Sequence, residues 1–328
     1  MTMRAYVIEE AEAPFREVKM DRPVPGNGQV LIRVHASGVS PLDLKIRAGQ
    51  AAHARQPLPA VLGVDMAGMV EEVGAGVGTL RRNEEVYGMV GGVGGLQGTL
   101  AEYVVADATL IARKPKRLTM RQAAALPLAT ITAWEGIFDR AKVRDGEKVL
   151  IHGGAGGVGY VAIQLARSAG AEVYSTVSKD KQHVIEALGA TPIDYRQVST
   201  EKYVAMYTRG DGFDMIFDTV GGATLDASFQ AVRKYTGRVV SCLGWGTHSL
   251  APLSMRGATY SGIFTLTPLL CGHGKFHHGS ILQQAAALAD SAKIRPLLSE
   301  ERFGWPDVEE AYRTMESGPI GKVVVELL

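Results

Sequence analysis

Cysteine is nearly absent from this chain: Cys242 and Cys271 are the only two in 328 residues. Two thiols exclude a disulfide framework and any four-cysteine zinc site, and they point to a reducing, cytoplasmic compartment. Net charge is nearly absent too, since 35 basic residues against 34 acidic ones leave a formal +1. No general field then draws the chain to nucleic acid or to an anionic membrane, so its ligand contacts are local. No apolar stretch approaches the roughly 18–20 residues that a membrane span needs. The first residues carry Glu9, Glu10 and Glu12 rather than basic residues ahead of an apolar segment. There is no internal repeat and no low-complexity linker. What is present is a chain with 46% hydrophobic residues, too long for one ordinary core and suited to two.

The most informative stretch is Leu150-Ile-His-Gly-Gly-Ala-Gly-Gly-Val-Gly159, where an apolar run gives way to glycines and then to the helix-like Tyr160-Val-Ala-Ile-Gln-Leu-Ala-Arg167. Strand, tight turn and helix start, in that order, present free backbone N–H groups and a positive helix end to a phosphate. The spacing Gly154-x-Gly156-x-x-Gly159 fits the dinucleotide fingerprint: one glycine for the turn, one for close pyrophosphate approach, one for packing helix on strand. Ala155, Gly156, Gly157 and Val158 are therefore the candidate pyrophosphate contacts. His152, just ahead of the turn, reads as a packed histidine with a hydrogen bond.

Short alternating segments such as Val30-Leu-Ile-Arg-Val34 and Met69-Val-Glu-Glu-Val73, punctuated by glycine and proline, predict a mainly β domain up to about residue 117. From Arg121 onward strand, glycine turn and helix alternate to about residue 265, which predicts a parallel sheet covered by helices. Phe213-Asp-Met-Ile-Phe217 and Gly237-Arg-Val-Val-Ser-Cys-Leu-Gly244 read as later strands of it, with a helix over residues 225–231 between them. After Leu270 come a loop, a helix near residues 281–292 and a closing strand, Lys322-Val-Val-Val-Glu-Leu327.

Several segments in order then resemble the medium-chain dehydrogenase/reductase superfamily, and most closely its zinc-independent NADPH:quinone oxidoreductase branch. They are Gly38-Val-Ser-Pro-Leu-Asp43 with Arg47 and Gly49, Leu62-Gly-Val-Asp-Met-Ala-Gly68, Val86-Tyr-Gly88, Gly98-Thr-Leu-Ala-Glu-Tyr103, Leu126-Pro127, Thr132-Ala-Trp134, the glycine turn, Phe217-Asp-Thr-Val-Gly-Gly222 and Gly321-Lys-Val-Val324. The resemblance implies an α/β chain with a GroES-like β-rich catalytic domain built from residues 1–120 and 270–328. Residues 121–269 would form a Rossmann domain with a doubly wound parallel sheet, and the active site would lie in the cleft. It also implies a homodimer paired through the strand at 258–265, Ala-Thr-Tyr-Ser-Gly-Ile-Phe-Thr.

Zinc-dependent relatives bind their catalytic metal with Cys, a His-Glu pair and a second Cys at positions that look equivalent to Ser40, Val64-Asp65 and Leu128. Those residue types do not supply three thiolate or imidazole donors, so no metal is expected. The rival cluster, Cys271-Gly-His273 with His277-His278, suits a loop leading into a helix.

For the cofactor, an NAD-selective domain ends its second strand with Asp or Glu, whereas this chain ends it with hydroxyls, in Ser175-Thr-Val-Ser178, and Lys179, Asp180 and Lys181 follow. The lysines welcome a 2′-phosphate or belong to an ordinary solvated helix start; Asp180 lies about where a loose spacing count puts a ribose acid but is placed past the strand, on the first turn of the following helix, so NADPH is the expected cofactor. Tyr195 matches a position beside the 2′-phosphate in the quinone oxidoreductases. The same resemblance puts Thr132, Leu243, Gly244, Phe264, Thr265 and Lys322 on the cofactor. With no Ser-His-Asp triad and no paired carboxylates, the chemistry belongs to the cofactor, and a quinone or α,β-unsaturated carbonyl is the expected small-molecule acceptor. A non-catalytic NADPH-binding protein and a zinc-free alcohol dehydrogenase-like or enoyl reductase are the alternatives. Ser40 and Lys45 are the catalytic candidates. Ser40 either bonds a ribose or substrate oxygen or caps the loop before Pro41. Lys45 stands where the branch commonly has tyrosine, and either assists an enolate or points into solvent. Tyr87 is a cleft residue or a packed tyrosine. Acceptor choice is expected from the loops at 45–58, 88–97 and 266–278.

Overall fold

Apolar residues crowd the stretch Gln29–Val39, and in the computed structural model, which describes residues 1–328, it forms the longest strand of a seven-stranded sheet. Val30, Leu31, Ile32, Val34 and Ala36 are fully buried there. Complete burial of each aliphatic side chain of this size contributes about 1.5–3 kcal/mol. On one side this strand pairs antiparallel with Asp65–Val73, and on the other with the closing strand Val323–Glu326, Val323 opposite Val39 and Glu326 opposite Ala36. That second pairing explains why the two ends of the chain make one unit: the valines of the C-terminal strand find their buried face only on a strand near the N-terminus. Glu85–Met89 and Ile111–Arg113 extend the sheet, and Tyr103–Asp107 adds to the Gln29–Val39 strand. Thr2–Ile8 joins Arg16–Asp21 and Ala60–Val61 in a separate three-stranded sheet. This unit comprises Met1–Ile131 and Thr265–Leu328. The Met120–Ala124 helix belongs to it, packing across the strands at Gln29–Val39, Asp65–Val73 and Val323–Glu326.

The second unit, Thr132–Phe264, is a six-stranded parallel sheet with intervening helices. Its strands lie in the order Thr191–Asp194, Glu172–Val177, Lys148–His152, Met215–Asp218, Arg238–Ser241, Thr259–Gly262. The chain thus runs outward in one direction from Lys148–His152, then restarts on its other side at Met215–Asp218. Such a reversal opens a crevice beyond the C-terminal strand ends, where doubly wound sheets bind ligands. Met215–Asp218 is buried along its whole length, as expected for a strand covered on both faces. Tyr174, Tyr203, Phe213 and Phe229 gather in one hydrophobic cluster of the unit. The expected fold class, a GroES-like β domain with a Rossmann sheet, is the observed one.

Candidate functional site

The glycine turn follows directly from the sheet. Lys148–His152 ends on a fully buried imidazole, Gly153 takes φ +74°, and the Gly157–Ser168 helix starts with Gly156 at its N-cap. No side chain caps that end, so its amides and positive dipole end face the crevice. The three fingerprint glycines have different reasons to be glycine. A Cβ on Gly154 would meet Ser175 Oγ at 2.0 Å, and one on Gly159 would meet the Gly153 carbonyl at 2.4 Å. A Cβ on Gly156 would touch only the Gly153 carbonyl, at 3.3 Å. Packing dictates the first and third, while a Cβ on Gly156 would meet nothing else within 4 Å. The turn therefore fits a dinucleotide, with Ala155, Gly156, Gly157 and Val158 as the residues that would hold its phosphates.

His152 braces this turn. Its Nδ1 lies 3.0 Å from Thr176 Oγ1, which also accepts the Gly153 N–H at 3.3 Å, while Nε2 is buried without a partner. Burial holds the imidazole down at about 4, against a smaller upward pull from Asp218, so it is neutral at physiological pH. Across the reversal, Asp218 accepts the N–H groups of Val220 and Gly221 and the hydroxyl of Ser241. Ser241 Oγ in turn accepts the Leu243 N–H at 3.0 Å. This chain of bonds sets Leu243 and Gly244 at the end of the fifth strand. Asp218 was not among the residues expected from sequence, because a carboxylate serving backbone amides has no spacing signature.

At the far edge Ser178 follows Val177, and Lys179–Lys181 form a single 3₁₀ turn leading into the Gln182–Glu186 helix. Tyr195, 55% exposed, follows Asp194 on the neighbouring strand. Phe264 is 37% exposed and stacks edge-on with Trp245, at 5.9 Å between ring centroids. Thr132 and Thr265 are buried.

In the β-rich unit the residues that look equivalent to the metal ligands of zinc-dependent relatives make contacts within the protein. Ser40 precedes the Pro41–Arg47 helix, and its N–H and Oγ–H both donate to Asp43 Oδ2, at 2.8 and 2.6 Å. Both bonds tie Ser40 to the first turn of this helix. Val64 is fully buried. Asp65 accepts the Leu128 N–H at 2.8 Å on one oxygen and the Lys322 ammonium at 3.2 Å on the other. Lys322 is 8% exposed and Asp43 and Asp65 are fully buried, so one ammonium stands near two carboxylates away from water. Burial raises both carboxyl groups above their usual range despite Lys322, Asp65 to about 6. A serine hydroxyl already donated, two apolar side chains and a carboxylate held by an ammonium do not make a zinc donor set. No three His, Cys, Asp or Glu side chains group so as to hold a metal ion. Cys271 is exposed at the end of the Thr267–Cys271 helix, whereas His278 is buried in the Lys275–Asp290 helix.

Lys45 is exposed on the Pro41–Arg47 helix, and its charge is felt at His53. Tyr87 is a packed tyrosine, fully buried with its hydroxyl donating to the Leu282 carbonyl. The three acceptor loops meet. The Gly94 N–H donates to the Ala54 carbonyl and the Gly95 N–H to Gln56 Oε1, both at 2.9 Å. A Cβ on Gly94 would lie 3.1 Å from Leu270.

Comparison with known proteins agrees with this geometry. Residues 26–116 match the alcohol dehydrogenase GroES-like domain and residues 188–325 the zinc-binding dehydrogenase domain. The chain is 34% identical over 330 residues to the mouse mitochondrial NAD(P)H oxidoreductase RTN4IP1, covering 92% of this chain and 82% of that protein. The chain belongs to the medium-chain dehydrogenase/reductase superfamily. Another relative in the superfamily is the tomato 2-methylene-furan-3-one reductase, 34% identical over 306 residues, which span 90% of this chain and 71% of that enzyme. Among solved structures, an alcohol dehydrogenase superfamily protein from Novosphingobium aromaticivorans superposes with a TM-score of 0.97 at 51% identity, covering 99% of this chain and 100% of that one. As a medium-chain dehydrogenase/reductase the chain is an oxidoreductase. No helix in it is long and apolar enough to cross a membrane.

Proposed function

We propose that this protein transfers a hydride from NADPH to a quinone or an α,β-unsaturated carbonyl without a metal ion. The observation that carries this reading is that Ser40 is bonded to Asp43 and Asp65 to Lys322, at positions that look equivalent to the metal ligands of zinc-dependent relatives, while the chain keeps a glycine turn that fits a dinucleotide. Without a Lewis acid there is no strong polarisation of a simple carbonyl or alcohol. A conjugated acceptor needs less, because the electron pair displaced when hydride reaches its β-carbon moves onto the carbonyl oxygen by delocalisation. Similarity to a 2-methylene-furan-3-one reductase, whose name describes a conjugated ketone, supports the choice.

Bound at the turn, a reduced nicotinamide cofactor supplies the hydride. The protein's work is alignment. Gly156 and Gly157 let the backbone approach the pyrophosphate, and Leu243, Gly244, Phe264, Thr265 and Thr132 line the nicotinamide half. Ser178, Lys179, Lys181 and Tyr195 receive the 2′-phosphate. Lys45 places a positive charge toward the developing enolate oxygen, and water returns the proton to the α-carbon. Ser40 and Lys322 act on the site through the carboxylates they hold.

The two free thiols support a reducing, cytoplasmic setting, although the mouse relative is named as mitochondrial. We also propose a homodimer through Thr259–Gly262, which is the outermost strand of its sheet and mostly exposed. An uncharged edge of this kind pairs readily with a second copy.

The test is NADPH oxidation with phenanthrenequinone, benzoquinone and a 2-alkenal after chelation with EDTA, with NADH in parallel. Turnover that survives chelation and favours NADPH is expected. Tight NADPH binding with no turnover on any acceptor refutes the enzymatic reading, and activity abolished by EDTA refutes the metal-free one.

A further inference from the structure

The fourth, fifth and sixth strands of the parallel sheet end level, Asp218 opposite Ser241 and Ser241 opposite Gly262. The segments that leave them bring Val220, Trp245 and Phe264 to one edge of the sheet, all three exposed, Trp245 by 51%. Doubly wound sheets bind their ligands beyond this edge. The indole of Trp245 and the ring of Phe264 stand at 89° to each other, so they make two walls of a corner. Trp245 is held from both sides. Ahead of it the Leu243 N–H donates to Ser241 Oγ, and a Cβ on Gly244 would meet Tyr260 Oη at 2.1 Å. After it Gly246 takes φ +109°, a conformation open to glycine. Next, His248 Nδ1 lies 2.8 Å from Asp226 Oδ1 on the Ala223–Ala231 helix, and Nε2 lies 3.4 Å from the Trp245 carbonyl. Both partners accept, and the bond to Asp226 raises the imidazole above its ordinary value, which favours an imidazolium that ties the loop to the helix. No Asp, Glu, Lys or Arg occurs from Cys242 to Leu250. A large aromatic side chain left half exposed on a loop pinned in this way is a contact surface that carries no charge of its own.

We propose that Trp245 and Phe264 form an aromatic corner that takes the flat face of a neutral, fused-ring acceptor, and that Trp245 makes the chain prefer such acceptors to acyclic enones. This rests on the reading of the chain as a nicotinamide-dependent reductase. On that reading Phe264 lines the nicotinamide half of the cofactor, so its indole neighbour stands beside the reacting face. A planar ring system laid on one wall of a right-angled corner stacks on that ring and meets the other edge to face, the two arrangements that aromatic pairs prefer. An acyclic alkenal has no ring face to offer and gains only the area it buries. A charged acceptor finds no counter-ion on the loop, because His248 is paired with Asp226. Trp245 acts on the choice of acceptor, and hydride transfer does not pass through it.

The experiment measures kcat/KM of the full chain with 9,10-phenanthrenequinone and with 2-hexenal, and takes the ratio of the two. A general defect in folding or in nucleotide binding moves both acceptors and leaves the ratio alone. Trp245→Ala is expected to lower the ratio about ten-fold, the size of one lost aromatic contact with the area it buries. Trp245→Phe, which keeps a ring at the corner, is expected to hold the ratio within about three-fold of the wild type. A ratio unchanged in Trp245→Ala, or lost equally in both variants, overturns the proposal. Equilibrium dialysis of phenanthrenequinone against the chain, with NADP⁺ in place of NADPH so that no hydride moves, reads the corner without turnover. Retention that weakens about ten-fold in Trp245→Ala is expected, and equal retention by wild type and variant overturns the proposal. A chain that reduces neither acceptor yet retains the quinone through Trp245 refutes the reductase reading and leaves the corner standing.

Discussion

The buried ion pair between Asp65 and Lys322 gives the sharpest test of how this chain holds charge in its interior. Asp65 is fully buried and Lys322 is 8% exposed, so neither charge has water to fall back on. Lys322→Met leaves the Asp65 carboxylate with one backbone N–H from Leu128 as its remaining partner. Asp65→Asn leaves an ammonium that retains only the more distant Asp43 charge. Breaking a buried pair from either side costs about 3–5 kcal/mol, whereas replacing both partners with neutral groups is often close to neutral. The expected pattern is therefore two damaging single variants and a double variant, Asp65→Asn with Lys322→Met, within about 1–2 kcal/mol of the wild type. Urea unfolding of the four proteins at neutral pH, followed by fluorescence and circular dichroism, reads the cycle. A double variant that loses the sum of the two single losses refutes the claim that these charges compensate each other. So does an Asp65→Asn protein as stable as the wild type.

The same burial shapes the response to pH. Asp65 rises from 3.8 unfolded to about 6 folded, so its contribution is present below pH 4 and is lost, to about 3 kcal/mol, as pH rises through 6. His152 falls from 6.5 to about 4, so its contribution is present above pH 6.5 and is lost, by a similar amount, as pH falls through 4. The two oppose each other, and His152→Gln is expected to expose a decline in stability between pH 4 and 6 that the wild type masks; identical pH profiles for the two proteins count against it. Gly156→Ala is expected to unfold within about 1 kcal/mol of the wild type while weakening NADPH binding at least about ten-fold, whereas Gly154→Ala, driven into Ser175, is expected to lower the unfolding midpoint sharply. Thermal unfolding and nucleotide fluorescence titration separate the two, and the assignment of Gly156 fails if its alanine variant binds normally. Burial pushes the Cys242 thiol up to about 12, with Asp218 adding to the rise, whereas Cys271 is exposed. Alkylation at pH 8 is expected to add one label per chain, at Cys271, as read by peptide mass spectrometry. Light scattering is expected to report about twice the 35.0 kDa chain mass. Thr259→Lys, which sets like charges against each other across a paired edge, is expected to halve it.

By itself the sequence was sufficient for everything that repeats locally. The glycine turn was legible because strand, turn and helix start lie within a dozen residues, and because clashes at Gly154 and Gly159 arise from neighbours in the same βαβ segment. The alternation of strands and helices from Lys148 to Gly262 likewise announced a parallel sheet, since burial on both faces demands continuous apolar runs. The bland readings of His152 and Tyr87 were also available, as each sits in an apolar stretch. Tertiary structure decided what depends on residues far apart. Asp65 meets Lys322 only because the last strand of the chain pairs with Gln29–Val39. No periodicity marks a lysine drawn into a β sheet to face a carboxylate 257 positions away. Asp218 reaches Ser241 because two neighbouring strand ends are in register. Charge compensation in a dry interior is a property of distance in space, and a linear chain carries that information only through the fold it adopts.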